Sequence, residues 1–153
     1  TAWWLTLLAA AGAPVPQGHK LVGMNLLPLV EGGTISERPL FFYMPLYDLR
    51  WAATPCAAMR MGEWKMIEYF GDWFDKDLCY HQGHRVELYN LGEDLGETRD
   101  LAGSDRARAN DMQAQLHAWL ESTKAALPVE NSHFDPTRAL KETKERQAWN
   151  PAP

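Results

Sequence analysis

The chain has 153 residues, one domain by length and long enough to bury a core. Its 46% hydrophobic and 23% charged residues are those of an ordinary globular chain, and a net charge of -5 with no basic stripe excludes a nucleic-acid footprint. Two cysteines, Cys56 and Cys79, exclude a disulfide scaffold: they allow at most one bridge, and two unpaired thiols are the commoner outcome.

The chain opens on an Ala- and Leu-rich stretch, Thr1 to Gly12, which predicts a helix stopped by Gly12 before Pro14. This helix has almost no polar face, and a helix apolar all round needs burial on every side, so a segment upstream is expected to pack against it. The apolar stretch from Trp3 to Ala11 is far short of the ~20 residues that cross a bilayer, and it lacks the basic flank of a signal peptide. A Pro- and Gly-containing loop follows, and Leu26 to Val30 predicts a short apolar turn or helix closed by Gly32-Gly33. The run Leu40-Phe41-Phe42-Tyr43-Met44, bounded by Pro39 and Pro45, has strand length.

Residues 56–61 and 64–70 flank Gly62-Glu63 as a hairpin, whose second arm sets Trp64, Met66 and Ile67 against Lys65 and Glu68. Residues 74–85 read as a polar and aromatic loop. Val86, Leu88 and Leu91 mark a further strand and its exit, followed by a glycine-punctuated acidic turn and a helix start. Ser104 is the expected N-cap of a helix carrying Met112, Leu116, Trp119, Leu120 and Leu127 on one face, with Pro128 as its stop. The polar tail from Val129 to Pro153 is expected to wrap the surface or fray. Together these elements predict an α+β unit, a small antiparallel sheet with a helix across one face.

Five segments, in order, resemble those of type I sulfatases. Thr6-Leu7-Leu8 with Ala11-Gly12 is similar to "PTLLELAG", and Leu21 to Val30 to "LDGVSLLPLL". Arg38-Pro39-Leu40-Phe41 is similar to "RPLF", and Ala58 to Ile67 to "AIRxGDWKLI". Glu87 to Leu101 resembles the element "ELYNL…D.GET.DL". The resemblance covers about residues 1–127. It implies that residues 1–35 are the tail end of the alkaline-phosphatase-like α/β sulfatase domain. Residues 36–127 would be the C-terminal subdomain, a four-stranded antiparallel sheet with a long helix, and residues 128–153 an extended tail. Departures are plain: where many members have "FWHFPHY", both histidines are replaced, by Tyr43 and Leu46, and the family's leading Asp and Pro are Ala2 and Leu5 here.

Sulfatases cleave sulfate esters with a formylglycine made from the Cys or Ser of a C/S-x-P/A-x-R motif, and a calcium ion clamps the sulfate. Cys56-Ala57-Ala58-Met59-Arg60 satisfies C-x-A-x-R, but it runs into a hairpin and lacks the family's following "TG[RK]" segment. Cys56 therefore reads as a small buried apolar residue on a strand. Asp72, Asp75 and Asp77 read as a solvated loop rather than a cation site. His81 and His84 read as surface loop, and His117 as an exposed helix residue. The resemblance thus implies no catalytic residue and no metal ligand in this chain. Calcium and formylglycine are expected in a full-length enzyme, whose N-terminal catalytic domain is the implied partner and whose substrate is a sulfated small molecule or glycan.

The substrate-binding candidates are Tyr43, Tyr47, Arg50 and Trp51, in an irregular segment after a strand end. Arg suits a planar anion and Tyr and Trp suit ring stacking; aromatic packing with a surface Arg is the structural alternative. In the family this subdomain borders the substrate cleft. The expectation is the C-terminal portion of an arylsulfatase or carbohydrate sulfatase, inactive alone, of a commonly exported family (periplasmic, secreted or lysosomal). Two other readings use the seven tryptophans and the apolar first helix: a free-standing glycan-binding module, or a structural subunit docking through Trp3, Trp4 and Leu8.

Overall fold

A computed structural model describes residues 2–18, 21, 23–47, 53–74, 79–129, 131–135 and 137–138, in two compact units, 1–38 and 39–153. In the first unit, α1 (Ala2–Ala10) forms where the Ala/Leu run predicts it. It ends in a Schellman motif: Gly12, at φ 62°, donates to the carbonyl of Ala9 (3.1 Å) and Ala13 to that of Leu8 (2.9 Å). Trp3, Trp4 and Leu7 are exposed. The short α2 (Leu27–Val30) has Asn25 Oδ1 accepting the Leu27 N–H at 2.9 Å, and the Leu26 N–H donates to Thr6 Oγ1 at 2.9 Å, tying it to α1.

The second unit is built on four antiparallel strands in the order β1 (Leu40–Met44), β2 (Cys56–Met61), β3 (Trp64–Tyr69), β6 (Arg85–Asn90). The stretch 74–85, expected as loop, instead takes part in a second small ladder, β4 (Trp73–Phe74) with β5 (Tyr80–His81), and ends in the first residue of β6. The helix α3 (Arg106–Ser122) lies across one face of the four-stranded sheet. Its residues Ala109, Met112, Leu116 and Leu120 recur at three- and four-residue spacing and bury against Ala57, Met59, Met66 and Leu88. Phe41 extends this core by stacking on Trp119 at 5.0 Å, and Arg108 lies 4.0 Å over the ring of Trp64. The α+β expectation, a four-stranded antiparallel sheet under a long helix, is met.

Three local expectations are corrected. The helix cap is Asp105, not Ser104: Asp105 accepts the Arg108 N–H (3.2 Å) and pairs with its guanidinium (2.9 Å), whereas the Ser104 hydroxyl donates to the Leu101 carbonyl. The helix stops at Ser122, six residues before Pro128. Lys124 takes φ 53°, and Lys124 and Ala125 donate to the carbonyls of Glu121 and Leu120, a Schellman ending that leaves Leu127 exposed. Glu68 does not share the side of Lys65. The two-residue period of β3 sets it beside Trp64 and Met66, beneath α3, where it is 2% exposed.

The segment after β6 shows why its sequence is so distinctive. Asp94 accepts the N–H of Thr98 (2.7 Å), the N–H of Arg99 (2.8 Å) and the Thr98 hydroxyl (3.1 Å). The backbone bond from Arg99, followed by the two bonds from Thr98, holds its carboxyl below the usual value of 3.8. Glu97, in the left-handed region at φ 55°, grips Lys65 Nζ at 2.7 Å. Asp100 accepts the N–H groups of Leu88 (3.0 Å) and Ala102 (2.9 Å), and Leu101 donates to Leu88 at 2.7 Å, so the segment seals the outer edge of β6. A Cβ at Gly92 would sit 2.5 Å from the Glu63 carboxyl carbon. Each of these carboxylates thus holds a part of the turn or of the sheet edge in place.

Candidate functional site at one end of the sheet

The row Met44, Cys56, Tyr69, Arg85 crosses the end of the sheet where β1 and β3 leave and β2 and β6 enter. Polar and aromatic side chains gather here because the long connections both start and finish here. Asp72 organises them. Its backbone carbonyl accepts the hydroxyls of Tyr47 (2.8 Å) and of buried Thr54 (3.0 Å), while its Oδ1 accepts the N–H of Gly83 (2.8 Å) at a turn with φ 94°. Trp73 stacks on His81 with ring centroids 4.2 Å apart, and the Arg85 guanidinium lies 3.9 Å from its centroid. Arg85 also pairs with Glu87, to which the Tyr69 hydroxyl donates at 3.4 Å. Burial, then the Glu87 charge, pushes the Tyr69 phenol well above its ordinary range.

Beneath this end lies a buried carboxylate. Glu68 Oε1 accepts from His84 Nε2 (2.7 Å) and Gln113 Nε2 (2.9 Å), and its Oε2 from His117 Nε2 (2.7 Å). Gln113 and His117 are four apart on α3 and so share a face, while His84 comes from the turn before β6. Glu68 thereby ties sheet, helix and turn together, with its charge fully met by donors and with the outer halves of both imidazoles in solvent.

The sequence-derived candidates fare unevenly. Tyr43 faces α3: its hydroxyl donates to the Ala126 carbonyl at 2.5 Å and its ring meets the edge of Phe70. Tyr47 is exposed but committed to Asp72, and burial, then the Asp72 charge, raises its phenol. Arg50 and Trp51 lie outside the described residues, as do Asp75 and Asp77. His81 belongs to β5 rather than to a loop. His84 and His117 are exposed as expected, although both reach inward to Glu68.

The string Cys56 to Arg60 lies wholly within β2, where Cys56 is half-buried and its thiol is raised by burial; no disulfide joins it to Cys79. Sequence reasoning missed Glu68. Its signal was a carboxylate two residues after Met66 on a strict two-residue period, together with Gln113 and His117 at helical spacing.

Among the described residues no group of three or more His, Cys, Asp or Glu is arranged to hold a metal ion. The prominent carboxylates do not fit a calcium cage: Glu68, Asp94 and Asp100 each accept two or more protein donors, and Glu97 is clasped by Lys65. No described helix is long and apolar enough to cross a membrane.

No protein-family model matches the chain. Solved structures do. The fold is similar to that of BT4656, solved with its substrate D-glucosamine-2-N,6-O-disulfate, at 18% identity and TM-score 0.56, covering 80% of this chain and 24% of that one. It is similar to Ps i-CgsB at 19% identity and TM-score 0.55, covering 94% of this chain and 28% of that one; that protein has also been solved with k-i-k-neocarrahexaose. A third similar structure is YidJ of Bacteroides fragilis, described as a sulfatase, at 18% identity and TM-score 0.56, again covering 24% of its length. The chain therefore has the fold of one part of the sulfatases, and it spans about a quarter of the length of the structures it matches.

Proposed function

We propose that the chain is the C-terminal portion of a sulfatase, a sulfuric ester hydrolase acting on a sulfated carbohydrate. The observation that carries this reading is the match of 94% of the chain to about a quarter of a solved relative, coinciding with five sequence segments in the family's order. Two of the similar structures were solved with carbohydrate ligands, a disulfated glucosamine and neocarrahexaose, which favours a carbohydrate over a simple aryl ester. The nucleophile and the calcium ligands belong, on this reading, to the other three quarters of the enzyme, and the chain alone turns over nothing.

The contribution of this portion is shape and selectivity. The sheet end around Asp72, with Tyr47 and the adjoining Arg50 and Trp51, forms a wall of the substrate cleft and selects the organic part of the ester. Its hydrogen bonds hold Tyr47, Thr54 and Gly83 to Asp72. The test is Trp51→Ala in the polypeptide extended through its upstream coding sequence. A change in relative kcat/KM between a sulfated amino sugar and an aryl sulfate is expected; equal losses on both, or none, would remove the cleft-wall role.

A further inference from the structure

Two sets of hydrogen bonds meet in the turn between β5 and β6. His84 gives its Nε2 to Glu68 Oε1 at 2.7 Å, and its neighbour Gly83 donates its N–H to Asp72 Oδ1 at 2.8 Å. Asp72 in turn accepts the hydroxyls of Tyr47 and Thr54 on its carbonyl. Gln113 of α3 donates to the same Oε1 of Glu68. A run of hydrogen bonds, joined by the single residue step from His84 to Gly83, thus leads from the helix through the buried carboxylate to Tyr47.

The turn has little packing of its own. Gln82, Gly83 and His84 are all exposed, and a Cβ built on Gly83 would meet nothing within 4 Å. Gly83 stands at φ 94°, where glycine is at home but has the most conformational freedom to lose. The ladder that leads into the turn pairs over only two residues. Glu68 is its opposite: 2% exposed, in the middle of the sheet and beneath α3. A group locked in a packed core is the kind of support that can fix the place of a loop.

We infer that Glu68 is a positioning residue for the sheet end. Through His84 it holds the turn, and through the Gly83 N–H it sets where Asp72 presents its carbonyl to Tyr47. Its two oxygens have unequal parts. Oε1 carries the turn by way of His84, whereas Oε2, bonded to His117, serves the attachment of a helix that the apolar core already seats. The inference deepens the cleft-wall reading and rests on it for its effect on selectivity.

The single variants His84→Ala and His117→Ala test this asymmetry, since each takes one imidazole from the same carboxylate and only the first lies in the turn. Amide hydrogen exchange in the 153-residue chain, followed by NMR, would be read at Gly83 and at Leu116 within α3. His84→Ala should speed exchange at Gly83 by at least about threefold, through local opening alone, with Leu116 unchanged. His117→Ala should leave Gly83 as it is, and His84→Gln, which keeps a donor of similar reach, should restore the protection. An unchanged Gly83 in His84→Ala, or the same acceleration in both alanine variants, would overturn the inference.

In the polypeptide extended upstream, His84→Ala should shift the ratio of kcat/KM for a sulfated amino sugar to that for an aryl sulfate by at least about threefold, and His117→Ala should not. Faster exchange at Gly83 with an unchanged ratio sinks the cleft-wall reading while the positioning of the turn stands. A shifted ratio with Gly83 unchanged sinks the positioning role alone.

Discussion

Removing both histidines from the buried carboxylate should harm the fold more than removing the carboxylate with them. Glu68 is 2% exposed and accepts three side-chain donors, two of them at 2.7 Å. The double substitution His84→Ala/His117→Ala leaves it with Gln113 alone, and a buried charge stripped of partners costs about 3–5 kcal/mol. Helix propensity works in the opposite direction, since Ala at 117 is a better helix former than His, so any loss arises from the carboxylate.

In the triple variant that adds Glu68→Leu, no charge remains to be satisfied, and an apolar residue sits between its register partners Ala57 and Val86. More than half of the lost stability should return, because replacing a whole buried polar group is far cheaper than orphaning it. Urea unfolding at pH 7, followed by circular dichroism, measures both changes. A double variant within about 0.5 kcal/mol of the parent, the usual scatter of surface substitutions, would refute the claim that the imidazoles sustain the buried charge.

Three further outcomes follow from the same geometry. Leu116→Ala, at a fully buried position against the sheet, should cost about 2–5 kcal/mol in urea unfolding; a loss under 1 kcal/mol would mean that α3 does not seat there. Lys124→Gly should stabilise by about 0.5–1 kcal/mol, because Lys124 holds φ 53° at the helix end where glycine carries no steric cost; a lower melting temperature would contradict that ending. The depressed carboxyl of Asp94 makes its turn a source of stability present above the usual value of 3.8 and lost as pH falls through the lower folded value. Thermal unfolding between pH 5 and pH 2 should therefore steepen on the acid side, less so in Asp94→Asn; an identical acid limb in the variant would count against it.

Much of the fold was legible because its signals are local. The apolar run at residues 40–44, the hairpin around Gly62, the Gly12 stop and the spacing of Met112, Leu116 and Leu120 each depend on neighbours in sequence. What escaped depends on distant partners. Residues 74–85 looked like loop because each arm of the small ladder pairs over only two residues, and its order rests on Trp73 meeting His81 and Arg85. The helix end was placed at Pro128 because nothing in composition marks Lys124 as left-handed. Glu68 was set on the wrong side because a charge was assumed to face water, although three donors make burial tolerable.

Of the site candidates, Tyr47 lies at the loop-rich end of the sheet, bound to the Asp72 carbonyl. Tyr43 instead belongs to the core side with Phe41, two residues away along β1. The sulfatase resemblance was carried chiefly by the turn after β6, whose Asp94, Glu97 and Asp100 each have a structural partner that constrains their identity.

Sulfate release from a sulfated amino sugar most directly tests whether this fold is the non-catalytic quarter of a sulfate-ester hydrolase. It should be measured on the purified 153-residue chain and on the polypeptide extended through the coding sequence upstream of Thr1. The extended polypeptide should release sulfate with repeated turnover and the short chain none. Turnover by the short chain, or an extended polypeptide inert toward every sulfate ester offered, would contradict the reading.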